Sequence, residues 1–292
     1  MRAFLAIVDS GSLGLAAEAL HVTQPALSRI VRRLESQLGV PLFERRTTGM
    51  ELTSYGQALL PHATVLSAEG ARAIEQINAL RGLGLGTIRI GAVASAAIML
   101  LPAVLDRILT RWPNLQVQIT EAVEDLLAVA LTNNAIDIVI SGPLAESADI
   151  VQVAEHKFTD RYSVITAAHH PLQQRKGLTI HDLAQALWVM PPEEAEPRRQ
   201  FNALAARLGA APPRVAVETR YPAVIKSLVA GTKFLGWLPE PLITAETAAG
   251  LIQPLAVEEM DLQRRFFVYR RRRSSTPPPV QKFLEALGTI EV

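Results

Sequence analysis

The sequence predicts a multidomain chain: an α-helical winged helix-turn-helix, one long linker helix, and a two-lobed α/β domain. Three observations lead there. Apolar residues recur at helical spacing through the first 55 positions and give way to two brief extended pieces. An alternating four-three apolar pattern then runs to Leu80. Beyond a glycine-rich punctuation at residues 82–86, β-branched stretches alternate with helical ones. A chain of 292 residues, 49% hydrophobic and 20% charged, can fill two or three small cores and is not a disordered polymer.

The helical period is carried first by Phe4, Ile7 and Val8, then by Leu15, Ala16, Ala19 and Leu20, then by Leu27, Ile30, Val31, Leu34 and Leu38. Ser12 opens the second helix (12–20), and Thr23 with Gln24-Pro25 opens the third (23–36), proline suiting a first turn. Gly39 closes it. A tight turn at His21-Val22 joins two helices whose Ala16 and Ala17 permit close approach, the proportions of a helix-turn-helix. Leu42–Arg46 and Met50–Leu52 flank Thr47-Thr48-Gly49 as a small β-wing. From Thr53 a long helix follows, with Leu59, Ala63, Leu66, Gly70, Ala73, Ile77 and Leu80 as a seam suited to pairing with a second helix. The run Gly82-Leu83-Gly84-Leu85-Gly86 follows a helix and opens a strand, the reverse of a phosphate loop, and reads as a hinge.

After the hinge, strands are expected at 87–93, 115–121, 136–140, 161–167, 187–190, 214–218, 234–237 and 264–269. Helices are expected at 97–111, 123–132, 180–185, 197–208, 222–230 and 280–287. This alternation predicts parallel βαβ units in two lobes, the last strand and helix returning to the first lobe.

Net charge is only +1, so contact with a polyanion needs a local cluster. One exists. Between residues 29 and 46 stand Arg29, Arg32, Arg33, Arg45 and Arg46 against Glu35 and Glu44. With Leu27, Ile30, Val31 and Leu34 turned inward, the third helix leaves Gln24, Pro25, Ser28, Arg29 and Arg32 outside. Gln pairs with adenine, Arg with guanine, and Ser with a base or a phosphate. Arg270–Arg273 reads instead as a solvated strand exit. Cysteine is absent, which excludes disulfides and thiolate chemistry and fits a reducing, cytoplasmic setting. Asp9 cuts the opening apolar run too short for an export signal, and no uncharged run is long enough to span a membrane.

The run Phe4–Val8, Gly11-Ser12-Leu13, Ala16-Ala17, Leu20, Thr23–Ser28, Leu34-Glu35, Leu38-Gly39, Leu42–Arg45 and Leu52-Thr53 resembles the LysR-type transcriptional regulators, and the similarity continues through the linker helix and both lobes. The resemblance implies DNA contacts by Gln24, Pro25, Ser28 and Arg29 from the recognition helix, with Arg45 and Arg46 reaching the minor groove or phosphates from the wing. It implies a DNA-binding domain at 1–55, a dimerisation helix at 56–81, lobe I at 87–161, lobe II at 162–265 and a return to lobe I at 266–292. Family members carry a few more residues ahead of the position of Phe4, so the first helix is expected to be short.

The same resemblance implies a fold similar to type 2 periplasmic binding proteins, with a small-molecule effector between the lobes. Strand ends and helix N-termini are where such ligands dock. Ser95 and Ala96, between a strand and the next helix, offer a hydroxyl beside the amides of Ala96 and Ala97. Tyr221-Pro222 opens another helix. Glu124, Ser141, Gly142 and Pro192 are further candidates. An acid at the position of Glu124, where members that bind aromatic carboxylates often place a hydroxyl, favours an effector bearing a hydrogen-bond donor.

No GxSxG elbow, HExxH, Walker loop or cysteine nucleophile is present, so no catalytic residue is named. His169 and His170, adjacent on a strand, would point to opposite faces and share no metal. Glu193, Glu194 and Glu196 beside Arg198 and Arg199 read as a solvated loop. An exported solute-binding protein has no use for the first 55 residues. The expected partners are double-stranded promoter DNA, the effector, further copies of the chain in a homodimer or tetramer, and RNA polymerase; neither cofactor nor membrane is expected.

Overall fold

The computed structural model describes residues 1–46, 49–80, 86–145, 147–260, 262–272 and 276–289, without the side chains of Arg45, Arg46, 75, 76 and 78–80. The chain forms two compact units, one built mainly from its first eighty residues and the other from the rest.

In the first unit, α1 (Arg2–Ser10), α2 (Leu13–Ala19) and α3 (Gln24–Leu38) are followed by the wing strands β1 (Phe43–Arg46) and β2 (Gly49–Leu52) and by the long α4 (Ser54–Leu80). Their core gathers Phe4, Ile7, Leu13, Ala16, Ala17 and Leu27, with Ala63 of α4. Short though it is, α1 buries Phe4 and Ile7 completely. Gly11 and Gly39 end α1 and α3 in the left-handed conformation, which glycine adopts without a Cβ penalty.

Several expectations are corrected. Ser12 and Thr23 sit at the N-caps of α2 and α3, yet neither side chain makes a capping hydrogen bond. On α2, Leu15 and Ala19 are exposed and Leu13 and Ala17 take the inward places. Ile30 is 50% exposed, because it lies about 60° around the helix from Leu27, on the flank of the Leu27–Leu34–Val31 line. Glu35 is no mere counter-charge: its Oε1 accepts from the amide of Leu42 at 2.8 Å and ties α3 to the entrance of the wing. The wing pairs Phe43 with Leu52 and Arg46 with Gly49, while Thr47-Thr48 of the expected turn lie outside the described residues. Residues 81–85 of the expected hinge do too; Gly86 is described, at φ 86°. Pro61 stands inside α4, and Leu66, Ile74 and Ile77 of that helix are exposed.

The second unit contains β3 (Thr87–Ala92), α5 (Ala94–Met99), α6 (Leu101–Arg111), β4 (Gln116–Glu121), α7 (Glu124–Thr132), β5 (Ile138–Ser141) and β6 (Ile150–Ala167). Then come β7 (Leu187–Met190), α8 (Glu196–Arg207), β8 (Arg214–Glu218), α9 (Pro222–Gly231) and β9 (Leu235–Pro239). The chain ends with α10 (Thr244–Ala248), β10 (Ile252–Leu255), β11 (Leu262–Arg271) and α11 (Pro278–Leu287). A single sheet runs β4-β3-β5-β11-β6-β9-β7-β8, with β10 also on β6.

The expected parallel units are present as β3 on β4 and β5, and as β7 on β8 and β9. The centre is antiparallel. β11 pairs with β5 and β6, and β6 with β9 and β10, so the sheet is mixed. β6 and β11 therefore belong to both halves. One core lies around β3, β5, α6 and α11, and others around Trp188, Phe201 and Trp237 and around Ile165, Ile225 and Val229. The expected helix 97–111 begins earlier and breaks at Leu100, because Pro102 has no N–H to continue the ladder. The expected helix 180–185 is one turn of 3-10 helix, Ile180–Leu183, closed by a Thr179–Asp182 capping box.

At Gly56 a Cβ would lie 2.2 Å from the carbonyl oxygen of Leu42 and 2.7 Å from Leu52 Cδ2, where α4 begins against the wing. Since the nearer obstacle is backbone, Gly56→Ala is expected to destabilise the N-terminal unit by about 2 kcal/mol. Urea unfolding followed by circular dichroism reads this as an earlier first transition with the later one unmoved; an unchanged first transition would count against the packing described.

Candidate functional site

The site is built around one buried cation. Arg264 of β11 stands directly opposite Asp160 of β6, and Tyr162 follows two residues on along the same face of β6. Arg264 Nε and Nη2 fork onto the two Asp160 oxygens at 3.1 and 2.6 Å. Nη2 also donates to Ser95 Oγ of α5 at 2.7 Å. Nη1 donates to Glu124 Oε1 of α7 at 3.0 Å and to the Tyr162 hydroxyl at 3.2 Å. All five guanidinium N–H groups thus have an acceptor. The guanidinium carbon lies 4.9 Å from the Tyr162 ring centre and 4.8 Å from that of Phe266.

Two carboxylates face this one cation. Asp160 takes the bidentate place. Glu124 is 4% exposed, and its Oε2 is buried with no partner among the described residues. Burial pushes the Glu124 carboxyl above its ordinary value, an effect that Arg264 only partly offsets. Burial also pushes the Tyr162 phenol up. For Arg264 burial works against the charge, but Tyr162, Asp160 and Glu124 outweigh it and hold the guanidinium protonated.

Beside this network lies a cavity of about 250 Å³. One wall comes from Ser95, Ala122 and Glu124. The facing wall is mostly apolar, with Pro191, Pro222, Ile225, Trp237 and Leu242. Tyr162 stacks on Trp237 at 5.4 Å between ring centres, linking the charged network to that wall, and Trp237 Nε1 is buried without a partner among the described residues. Arg220 closes one side. Its Nη2 lies 2.6 Å from Glu194 and its Nη1 3.5 Å from Asp125 of α7, an ion pair from the β8–α9 loop across to the other half of the sheet.

Of the residues expected at the effector site, Ser95, Glu124, Tyr221 and Pro222 line this cavity. Ala96, Ser141, Gly142 and Pro192 do not. Ala96 is fully buried in the core of the first half. Ser141 Oγ is spent on the carbonyl of Gly142 at 2.9 Å. Gly142 lies behind the network, where a Cβ would meet Arg264 Cδ at 2.8 Å, so it makes room for the cation. The Pro192 carbonyl accepts from the Ala195 amide in the turn before α8. Ser95 is not a free N-cap, since Val93 takes that place and the Ala97 amide donates to the Val93 carbonyl.

Arg198 departs from the solvated loop expected of it, being buried beside Asn202, while Glu194 stays exposed and pairs with Arg220. His169 and His170 lie in a turn, not a strand, and His170 Nδ1 accepts from the Leu172 amide. No group of metal-ligating side chains occurs among the described residues. Sequence reasoning misses Arg264, Asp160 and Tyr162. The available signal is a lone charge in step with Phe266 and Val268, at an inward position of the strand.

On the N-terminal unit, Gln24, Pro25, Arg29 and Arg32 are exposed on α3 and Ser28 is half-buried. β1 carries Arg45 and Arg46, whose side chains lie outside the described residues, as does Arg273. Arg272 is engaged, its amide on the Asp149 carbonyl at 2.7 Å.

Replacing Arg264 by Leu would strand Asp160 and Glu124 in the interior, and is expected to cost about 3–5 kcal/mol, read as a lower unfolding midpoint of the C-terminal unit. Glu124 has the opposite sense. A carboxyl with a raised native pKa holds its proton more tightly folded than unfolded, so its contribution turns against the fold as pH rises above the usual carboxylate range. The unfolding midpoint of Glu124→Gln minus that of the unaltered chain should therefore increase from about pH 5 to about pH 8; a difference that is flat or falling contradicts this.

Residues 1–57 match the family described as bacterial regulatory helix-turn-helix protein, lysR family, and residues 81–289 match the LysR substrate binding domain. The regulator GbpR of Azospirillum brasilense is 29% identical over 79% of this chain and 68% of its own length. CbbR of Rhodospirillum rubrum is 29% identical over 92% and 88%. Among solved structures, full-length CbnR complexed with its target DNA superposes with a TM-score of 0.71 at 22% identity, covering 98% of this chain and 96% of that one. The Synechocystis CcmR regulatory domain in complex with 2-PG gives 0.62 at 21% identity, over 69% and 95%. The chain belongs to the LysR family of transcriptional regulators, joining a helix-turn-helix DNA-binding segment to an effector-binding domain.

Proposed function

We propose that this regulator reads double-stranded promoter DNA with α3 and the wing, and is switched by a compact small molecule held in the cavity between the two halves of its sheet. The observation that carries the reading is the cavity itself: its walls come from both halves, and β6 and β11 join those halves. A ligand that touches both walls can bias their separation, and a preference for one separation is all that a population shift requires.

Gln24, Pro25 and Ser28 at the start of α3 face base edges, Arg29 and Arg32 face bases or phosphates, and Arg45 and Arg46 reach the backbone or minor groove. Ser95, Glu124, Tyr221 and Pro222 contact the effector. Functionally the chain divides into residues 1–55, the pairing helix 56–81, the lobes 87–161 and 162–265, and the return at 266–292. The exposed Leu66, Ile74 and Ile77 of α4 support a homodimer or tetramer paired through that helix. The regulator works in the cytoplasm without a cofactor and catalyses no reaction, its output passing through DNA geometry or RNA polymerase contact. Among the described residues no helix is long and apolar enough to cross a membrane.

Salt titration of binding to the DNA upstream of its own gene tests these roles. Gln24→Ala/Ser28→Ala is expected to lose about 1–3 kcal/mol of discrimination between specific and scrambled sites. Arg45→Ala/Arg46→Ala should weaken both sites alike and reduce the salt slope by about 1 for each phosphate no longer neutralised. Failure of the unaltered protein to prefer any promoter fragment would overturn the reading.

A further inference from the structure

Resting on the cavity as the effector site, we infer that its ligand is a compact organic cation, an apolar body bearing an ammonium group whose N–H donates to Glu124 Oε2. Unmet hydrogen-bonding capacity and the prior commitment of both wall cations point to it. Among the described residues, the lining carries two buried polar atoms without a partner, Glu124 Oε2 and Trp237 Nε1. The first is a carboxylate oxygen shut off from water, and a donor on the ligand supplies the partner it lacks. A neutral carbonyl, ether or hydroxyl oxygen on the ligand suffices for the second.

The cations of the wall are already engaged. Arg264 has its five N–H groups on Asp160, Glu124, Ser95 and Tyr162, and Arg220 is held by Glu194 and Asp125. In the lining Glu121 and Glu124 match these two guanidiniums in number, while Asp160, Asp125 and Glu194, outside the lining, take up their charge, so neither is left for an anionic ligand. Glu124 and Asp125 also occupy the first turn of α7, where acidic side chains already answer the positive end of the helix. A carboxylate ligand would enter beside Glu124 with no uncommitted cation to meet it. An ammonium group instead supplies the charge that burial denies to Glu124, while the apolar wall takes the rest of the molecule. At about 250 Å³ the cavity suits a ligand about the size of a single substituted ring.

Phenethylamine, phenethyl alcohol and hydrocinnamate differ chiefly in the polar head and serve as probes on the full chain at neutral pH, followed by tryptophan fluorescence and by thermal shift. The amine is expected to bind at least roughly tenfold more tightly than hydrocinnamate, the scale of one hydrogen bond to a charged group. Glu124→Gln should abolish that preference. Arg220→Gln, at the partly exposed edge of the cavity, should strengthen the amine and provides a second reading should the first variant fold poorly. Equal or tighter binding of hydrocinnamate, an amine affinity unchanged in Glu124→Gln, or no binding of any probe would each overturn the inference. Ala122→Phe, which fills the cavity, separates this failure from that of the underlying reading. Hydrocinnamate binding abolished by Ala122→Phe leaves the cavity as effector site and removes only the cation, whereas binding that survives the filling removes both.

Discussion

The second unit depends on a guanidinium taken wholly out of water. Moving such a charge into the interior costs several kcal/mol, recovered only when every donor finds an acceptor and the geometry is good. Arg264 meets that condition with groups from three elements: Asp160 and Tyr162 on β6, Ser95 on α5 and Glu124 on α7. Two helices of one half of the sheet are thereby fastened to the two strands shared by both halves. Even Gly142 belongs to this arrangement, since any side chain there would occupy the space of the cation.

The character of the cavity follows from that fastening. Because the polar side is committed to holding Arg264, what it still offers is one carboxylate oxygen. The apolar side comes from positions at or beyond strand ends, Pro191, Pro222 and Leu242 among them, with Trp237 behind. The tyrosine–tryptophan stack between Tyr162 and Trp237 is the point where the two meet.

Much of this was legible in the sequence. The helical spacing of Phe4, Ile7, Leu27 and Val31, and the glycines at positions 11 and 39, mark the N-terminal helices through period and punctuation, which are local properties. Strands at 187–190 and 214–218 were legible for the same reason, short apolar runs bounded by breakers. Residues 150–160 of β6 were not, because that stretch alternates buried and exposed residues irregularly and carries Glu155, His156, Lys157 and Asp160. Its strand character comes from its partner β11, which no local pattern records. Ser95 and Glu124 were legible as strand-end and helix-start residues, but their role as partners of Arg264 was not, since the cation arrives from 169 and 140 residues away. Ala96, Ser141, Gly142 and Pro192 are neighbours of the site in the chain rather than in the cavity.

The pairing of β6 with β11 is interrupted between Arg265 and Phe266, where the partner jumps from Thr159 to His156. Such an irregularity accommodates extra residues on one strand and re-aims the side chains beyond it. Asp160 and Tyr162 emerge from it on the face that meets Arg264. Strand faces alternate at every residue, so the gain or loss of one residue between His156 and Asp160 would turn both to the opposite face. This stretch is therefore free to vary in identity at its exposed positions and fixed in length: its spacing, more than its composition, is what the fold inherits.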